Sequence, residues 1–289
     1  GLLSSETFAL ASNSELIVVP LFILMGNVAS VTGMSRSLYE AAYAIIGQVR
    51  GGLASATVIG CGGFAALSGS SVASALTMGR TALAEMDRFD YNPRLSTGVV
   101  AAGGTLGILI PPSTGFVIYA ILTEQSIGRL FMAGILPGLL LLTAFILTVT
   151  VLCTIFPDMG PKGPATSMAE KRRAFVGAIP ILFVVIITIG GIYTGYFSPT
   201  EAAGVGAALV IVIGGFSGTL KLRSFWEAAR SSIVTTASVM LILIAAHLIN
   251  PFIALSHLPA EVSRLLVSLD LGMYGTLILI LAIHLVLGC

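Results

Sequence analysis

The chain has 289 residues, of which 56% are hydrophobic and 9% are charged, and its formal net charge is +1. Soluble domains carry roughly 25% charged residues, so this composition excludes a soluble globular protein and indicates a polytopic membrane protein. The basic residues are few and scattered, which argues against a nucleic-acid-binding surface. Eight uncharged stretches meet or nearly meet the roughly 20 residues that span a bilayer. They are residues 16–35, 51–79, 95–123, 130–157, 174–200, 202–220, 231–260 and 271–289.

The two ends of the sequence lack the features of natural termini. Residues 1–15 have neither the basic start nor the apolar core of a signal peptide. The last apolar stretch stops abruptly at Cys289. We therefore expect a fragment that is cut at both ends.

The first span, residues 16–35, is followed by an amphipathic stretch, residues 36–50, which is suited to the membrane surface. Asn27 carries an amide inside this span. That amide either faces a substrate cavity or makes a hydrogen bond to a neighbouring helix.

A Gly/Ser-rich segment follows. Residues 51–79 contain seven glycines and five serines, a composition that suits close packing within protein better than contact with lipid. Arg50 precedes the segment and Arg80 follows it, and the positive-inside rule places both on the cytoplasmic side. The segment is therefore predicted to be a re-entrant hairpin, with its tip at residues 68–71.

Pro111 and Pro112 interrupt the next uncharged stretch. Neither proline has an N–H, so the carbonyls about four residues upstream, near Gly107 and Ile108, lose their helical partners. In a bilayer, irregular backbone persists only where protein buries it or where it lines a polar cavity. The Pro-Pro pair either kinks a packed helix or belongs to a binding site, and its pairing with the hairpin favours the site.

The two irregular segments predict two kinds of site. A sodium ion needs several oxygen ligands, which hairpin hydroxyls and carbonyls of the break could supply. The predicted sodium ligands are Ser68, Ser70, Gly107, Ile110 and Pro112. A helix that restarts at Ser113 directs its positive N-terminal end at an anion such as a carboxylate. The predicted substrate-binding residues are Asn27, Gly69, Ser71, Ser113 and Thr114.

The second half begins with a helix start at residues 198–201. Ser198 is the predicted N-cap, and Glu201 either completes a capping box or binds an ion. Further on, His247 and Asn250 lie one turn apart in an uncharged span, where they either pack between helices or contact substrate.

The end of the chain repeats the order of its beginning. A span, a surface stretch and an apolar run occupy residues 231–289, as they do residues 16–79. If each uncharged stretch crosses the membrane once and the hairpin does not cross it, the two copies have opposite orientations. This crossing count gives the layout of an inverted repeat. On this hypothesis a second hairpin follows Cys289.

Six segments occur in order along nearly the whole chain. They are PLFILMGN at 20–27, RGGL at 50–53, AALSGSSVA at 65–73, IPPS at 110–113, AGILPG at 133–138 and SPTEAA at 198–203. Together they resemble the large membrane subunit (DctM-like, M subunit) of tripartite ATP-independent periplasmic (TRAP) transporters.

The resemblance implies a sodium-coupled secondary uptake system for small organic acids, such as C4-dicarboxylates or sialic acid, that works as an elevator. It implies two partners, a small membrane subunit (Q type) and a soluble periplasmic binding protein, in a bacterial or archaeal cytoplasmic membrane. The family's first sodium site falls on Ser68 and on the carbonyls of Gly107, Ile110 and Pro112, and a second site would lie beyond Cys289. We expect no catalytic residue, no metal other than sodium and no organic cofactor.

The resulting fold class is an all-α polytopic membrane protein, an inverted-repeat secondary transporter similar to the ion transporter superfamily. We expect a scaffold helix and an interfacial helix in residues 1–50, and a transport-domain part with the hairpin and the broken helix in 51–123. A connecting membrane helix and cytoplasmic loop take 124–173, and the incomplete second repeat takes 174–289.

Two other functions remain as alternatives. One is a stand-alone sodium- or proton-coupled anion transporter or exchanger of related fold. The other is an intramembrane serine protease that uses Ser68 or Ser70 with a histidine base. All three histidines lie beyond residue 246 and in no motif of such proteases, which disfavours the second alternative.

Overall fold

Helices pair nearly all of their backbone polar groups internally, which is what a bilayer demands. The computed structural model describes residues 14–164, 166–269 and 271–288, and these residues form twelve α-helices. They are α1 (Val18–Val31), α2 (Met34–Ile46), α3 (Gly52–Ser68), α4 (Ser71–Arg88), α5 (Pro93–Leu109), α6 (Thr114–Leu122), α7 (Ile127–Ile155), α8 (Met168–Tyr193), α9 (Pro199–Phe216), α10 (Leu222–Leu255), α11 (Leu258–Ser268) and α12 (Gly272–Gly288).

Five helical segments are long and apolar enough to cross a membrane. They are Ser14–Val31, which joins a 3-10 turn to α1, then α7, α8, α9 and residues Leu222–Ile253 of α10. A sixth crossing results if α5 and α6, which meet at a bend of 41°, are one broken span. The predicted all-α polytopic membrane protein is confirmed.

Contacts divide the chain into two compact units. The described residues of the first unit lie within 14–239 and those of the second within 240–288. The second unit contains the end of α10, the amphipathic α11 and the apolar α12. Cys289, Asp270 and the first 13 residues, on which some of our sequence predictions fall, lie outside the described residues.

The predicted repeat is visible in the order of elements. In the first unit, Gly33 has a left-handed backbone and links α1 to the amphipathic α2, and the 17-residue α3 follows. Later in the chain, His257 has a left-handed backbone before the amphipathic α11, and the 17-residue α12 follows. A similar order of elements thus occurs twice in the chain, and the inverted repeat stays a prediction.

Polar side chains mark where the later helices begin. Ser126 caps α7, Ser167 caps α8 and Ser198 caps α9, and each hydroxyl accepts a backbone N–H from the first turn. At α9 the Glu201 carboxylate accepts the Ser198 N–H at 2.8 Å, which completes a capping box. Of the two roles considered for Glu201, capping is the one observed.

Helices α3 and α4 form the predicted hairpin. The chain breaks at Gly69, whose φ is +57°, and at Ser70, which caps α4. The arms run side by side, since a Cβ atom added to Gly60 would lie 3.0 Å from the Met78 sulfur on the opposite arm. The second arm is longer than predicted. It continues past Gly79 to Arg88, because the charged residues after Gly79 extend the helix instead of forming a loop.

The base of the hairpin is held by the loop that follows α7. The Gly51 N–H donates to the Gly160 carbonyl at 2.9 Å, and the Gly163 N–H donates to the Gly47 carbonyl at 3.0 Å. The Tyr91 hydroxyl accepts the Leu53 N–H and donates to a carbonyl of the same loop. Burial raises the pKa of Tyr91 to about 12, so this donor stays protonated at neutral pH. The two ends of the hairpin therefore meet.

This geometry predicts that both ends of the hairpin lie on one face of the membrane. In a chain whose native cysteines are replaced by serine, Arg50→Cys and Arg88→Cys should react with an impermeant maleimide from the same side of sealed vesicles. Tyr196→Cys is the control, since Tyr196 is 83% exposed before α9 and the crossing count places it on the opposite side. Reaction of positions 50 and 88 from opposite sides would show that the segment crosses the membrane.

Candidate functional site

The tip of the hairpin touches the Pro-Pro break. The Gly69 carbonyl accepts two hydrogen bonds from Thr114, one from its N–H at 3.1 Å and one from its hydroxyl at 2.9 Å. A Cβ atom added to Gly107 would lie 2.6 Å from the carbonyl of Ser70, so only glycine permits this approach. Two irregular segments, separated by about 40 residues of sequence, thus form one junction.

The five predicted sodium ligands lie on or beside this junction. Ser70 lies against Gly107, and the Pro112 carbonyl lies against Gly69. Ile110 ends α5, and its N–H donates to the Leu106 carbonyl at 2.8 Å. Ser68 ends α3, only 3% exposed, and its hydroxyl is hydrogen bonded to that of Ser74 at 3.1 Å. The structure brings these residues together, and sodium binding stays a prediction.

Where the broken helix restarts, a side chain binds one of the carbonyls that lack a helical partner. Ser113 is 1% exposed and caps α6, where its oxygen accepts the Phe116 N–H at 3.3 Å. Its hydroxyl donates to the Ile108 carbonyl. The Ile108 carbonyl has therefore lost its helical partner, as expected, and a side chain supplies the bond that the proline cannot. The Gly107 carbonyl also lacks its helical hydrogen bond, since Pro111, four residues later, has no N–H.

A polar cavity of about 630 Å³ begins at the junction. Five helices and the hairpin tip contribute to its wall, which is mostly small or hydroxyl-bearing. Its lining includes Ile23, Gly26, Asn27, Ser30, Arg36, Ser68, Ser70, Thr77, Arg80, Thr114, Ser231 and Thr235. Of the predicted substrate-binding residues, Asn27 and Thr114 line this cavity, whereas Gly69, Ser71 and Ser113 are outside its lining.

Helix α1 packs directly on the hairpin along this cavity. A Cβ atom added to Gly26 would lie 2.5 Å from the Cα atom of Ser68, and the Ser30 and Thr77 hydroxyls are 3.2 Å apart. The Asn27 amide donates to the Ser232 hydroxyl of α10 at 2.8 Å. Asn27 therefore makes the predicted bond between helices and also lines the cavity, while its contact with substrate stays a prediction.

Sequence reasoning missed several lining residues. Ser30, Thr77, Thr81, Ser231 and Thr235 were passed over as ordinary helix residues. Their spacing contained a signal, because Thr77 and Thr81, like Ser231 and Thr235, are four residues apart and share a helix face. A pair of hydroxyls on one face of an apolar helix is the pattern that could have found them.

The remaining candidates are less informative. The His247 ring lies 3.2 Å from the Leu243 carbonyl on its own helix, and the Asn250 side chain is outside the described residues. The hydroxyls needed by a serine protease are engaged, since Ser68 bonds Ser74 and Ser70 caps α4. The first unit contains no histidine to serve as their base.

Known proteins resemble this chain over its whole length. Residues 2–289 match the family model described as "Tripartite ATP-independent periplasmic transporter, DctM component". The chain is 35% identical, over 99% of its length and 67% of the relative, to the C4-dicarboxylate TRAP transporter large permease protein DctM of Pseudomonas aeruginosa. It is 40% identical to the protein of the same name from Vibrio cholerae, over 72% of the chain and 46% of the relative.

Another similar protein has a name that refers to a different substrate. The chain is 34% identical to the ectoine TRAP transporter large permease protein TeaC of Halomonas elongata, over 92% of the chain and 62% of the relative. The chain thus spans about half to two thirds of the length of these relatives.

The close approach at Gly107 generates a prediction. Gly107→Ala should push the hairpin tip away from the break, because the added methyl group would overlap the Ser70 backbone, and transport should fall at least tenfold. Gly98→Ala is a matched control on the same helix, since nothing lies within 4 Å of its added Cβ atom. Both changes raise helix propensity by about 1 kcal/mol, so the control should be neutral or stabilising. Equal transport by both variants, at equal membrane abundance, would remove the junction from the working site.

Proposed function

The chain belongs to the DctM family of TRAP transporter membrane subunits, and from this premise we propose that it forms the core of a sodium-coupled uptake system for small organic acids. The names of its relatives refer to C4-dicarboxylates and to ectoine. Both kinds of compound carry carboxylate groups. A carboxylate-bearing substrate is therefore the class to which we assign this chain.

The observation that carries the proposal is the junction of hairpin tip and Pro-Pro break, from which Ser68, Ser70 and Thr114 line a polar cavity. Oxygen atoms from Ser68, Ser70 and the carbonyls of the break offer the hard ligands that an alkali cation prefers. The helix starts at Ser70 and Thr114 direct positive partial charge toward the same end of the cavity. A cation and an anion bound side by side at one junction couple their movements, since each favours binding of the other.

The wider system follows from the family. We assign the junction to a transport domain that slides against a fixed scaffold, in a cytoplasmic (inner) membrane. The small membrane subunit completes the membrane part, and a soluble periplasmic binding protein delivers the substrate. Selection among organic acids is shared between that binding protein and the cavity.

Reconstituted uptake tests this proposal. The full-length large subunit, its small subunit and its binding protein should take up at least one of succinate, sialic acid and ectoine when liposomes carry an inward sodium gradient. A proton gradient alone should drive no uptake. Uptake that needs no binding protein would favour a stand-alone transporter, and uptake driven by protons alone would overturn the sodium coupling.

Ser68 provides the test of the cation site. Ser68→Ala should raise the sodium concentration for half-maximal uptake about tenfold to a hundredfold, since a lost polar ligand costs roughly 1 to 3 kcal/mol. Excess sodium should restore most of the rate. The measurement is a sodium titration of initial uptake rates.

Two serines serve as controls for that titration. Ser74→Ala breaks the same hydrogen bond to Ser68 without removing a predicted ligand, and Ser71→Ala changes a residue outside the cavity lining. Both should leave the sodium curve nearly in place. If Ser74→Ala shifts the curve as far as Ser68→Ala does, the effect belongs to packing and the cation assignment fails.

A further inference from the structure

The charges that line the cavity are all positive. Among the described residues, its lining contains two charged side chains, Arg36 of α2 and Arg80 of α4, and no carboxylate. A cavity with low-dielectric walls concentrates the field of such charges. The cavity is therefore electrostatically suited to anions along its length and not only at the junction.

The two arginines differ in their partners. Arg36 is neutralised on its own helix, because its Nε atom lies 2.8 Å from a carboxylate oxygen of Glu40. For Arg80, no carboxylate of the described part of the chain lies within 4 Å. Arg80 is exposed and lines the cavity, so its guanidinium is accessible to a ligand there. Arg80 thus contributes the uncompensated charge of this cavity.

The position of Arg80 fixes its distance from the junction. Ser70, Ala73, Thr77 and Arg80 all line the cavity, and their spacing of three or four residues places them on one face of α4. Ten residues of helix separate the backbones of Ser70 and Arg80 by about 15 Å. A helical side chain leans toward the N-terminus of its helix, which for α4 is the direction of the junction, so an extended side chain at position 80 would shorten this gap.

We propose that Arg80 binds the second carboxylate of a short dicarboxylate whose first carboxylate lies at the junction, beside Ser70 and Thr114. This assignment rests on the proposed uptake of organic acids and adds the residue that recognises the second carboxylate of the substrate. Arginine suits the task because its planar guanidinium donates two parallel hydrogen bonds to one carboxylate. The Ser70 hydroxyl and the helix starts recognise one end of the molecule, and a guanidinium recognises the other.

The test compares two ligands of nearly equal shape and different charge. Succinate has two carboxylates, and its monoamide, succinamate, has one. Binding of each to the purified full-length transporter is measured by calorimetry in saturating sodium. The unaltered protein should prefer succinate about tenfold to a hundredfold, the range for a charge-assisted hydrogen bond. Arg80→Gln should lose this preference, mainly through weaker succinate binding, while its affinity for succinamate stays within about threefold.

Two further variants separate recognition from folding. Arg80→Lys keeps the charge and should retain part of the preference. Arg88→Gln removes a charge of the same helix that lies outside the cavity lining, so it should keep most of the preference. An Arg80→Gln protein that still prefers succinate as the unaltered protein does would overturn the inference about Arg80 alone. Failure of the unaltered protein to bind any organic acid would overturn the proposed function, and the role of Arg80 with it.

Discussion

Backbone groups that leave a helix inside a membrane must find other partners, and in this protein the two places where helices break supply partners to each other. The hairpin tip presents the Gly69 carbonyl, and Thr114 donates to it from both its backbone and its side chain. Ser113 supplies the partner at the other break, since its hydroxyl donates a hydrogen bond to the Ile108 carbonyl. Two features of the first unit depend on these hydrogen bonds between the breaks. The cavity begins there, and α1 approaches there through Gly26.

The positions of the breaks were predictable from sequence because their causes are local. Proline removes an N–H wherever it lies, and Gly69 between serines offers the left-handed backbone that a tip requires. The composition of residues 51–79 also predicted the hairpin, though not the length of its second arm. That arm continues to Arg88 because charged residues are compatible with a helix whose exposed face carries them. The sequence thus located the irregular backbone well and the regular backbone after it less well.

The partners of the breaks were not predictable in the same way. The bond from Thr114 to Gly69 joins residues 45 positions apart, and no local pattern encodes that pairing. The same holds for Asn27 and Ser232, which are 205 positions apart. Arg80 was predicted only to follow the hairpin on the cytoplasmic side, and its place in the wall of the cavity was not foreseen. Residue types thus revealed which atoms need partners, and only tertiary packing decided which atoms supply them.

The loop after α7 has a consequence for how the protein is made. It closes the base of the hairpin through bonds from Gly51 to Gly160 and from Gly163 to Gly47, which join residues about 110 positions apart. A ribosome adds 5 to 20 residues per second, so the finished hairpin sequence waits roughly 4 to 15 s before its closing segment, about 75 residues further on, has been synthesised. During that time its glycine-rich arms are without the loop that secures them. Until α7 and the loop after it have been made, the two ends of the hairpin are therefore without the hydrogen bonds that hold them together.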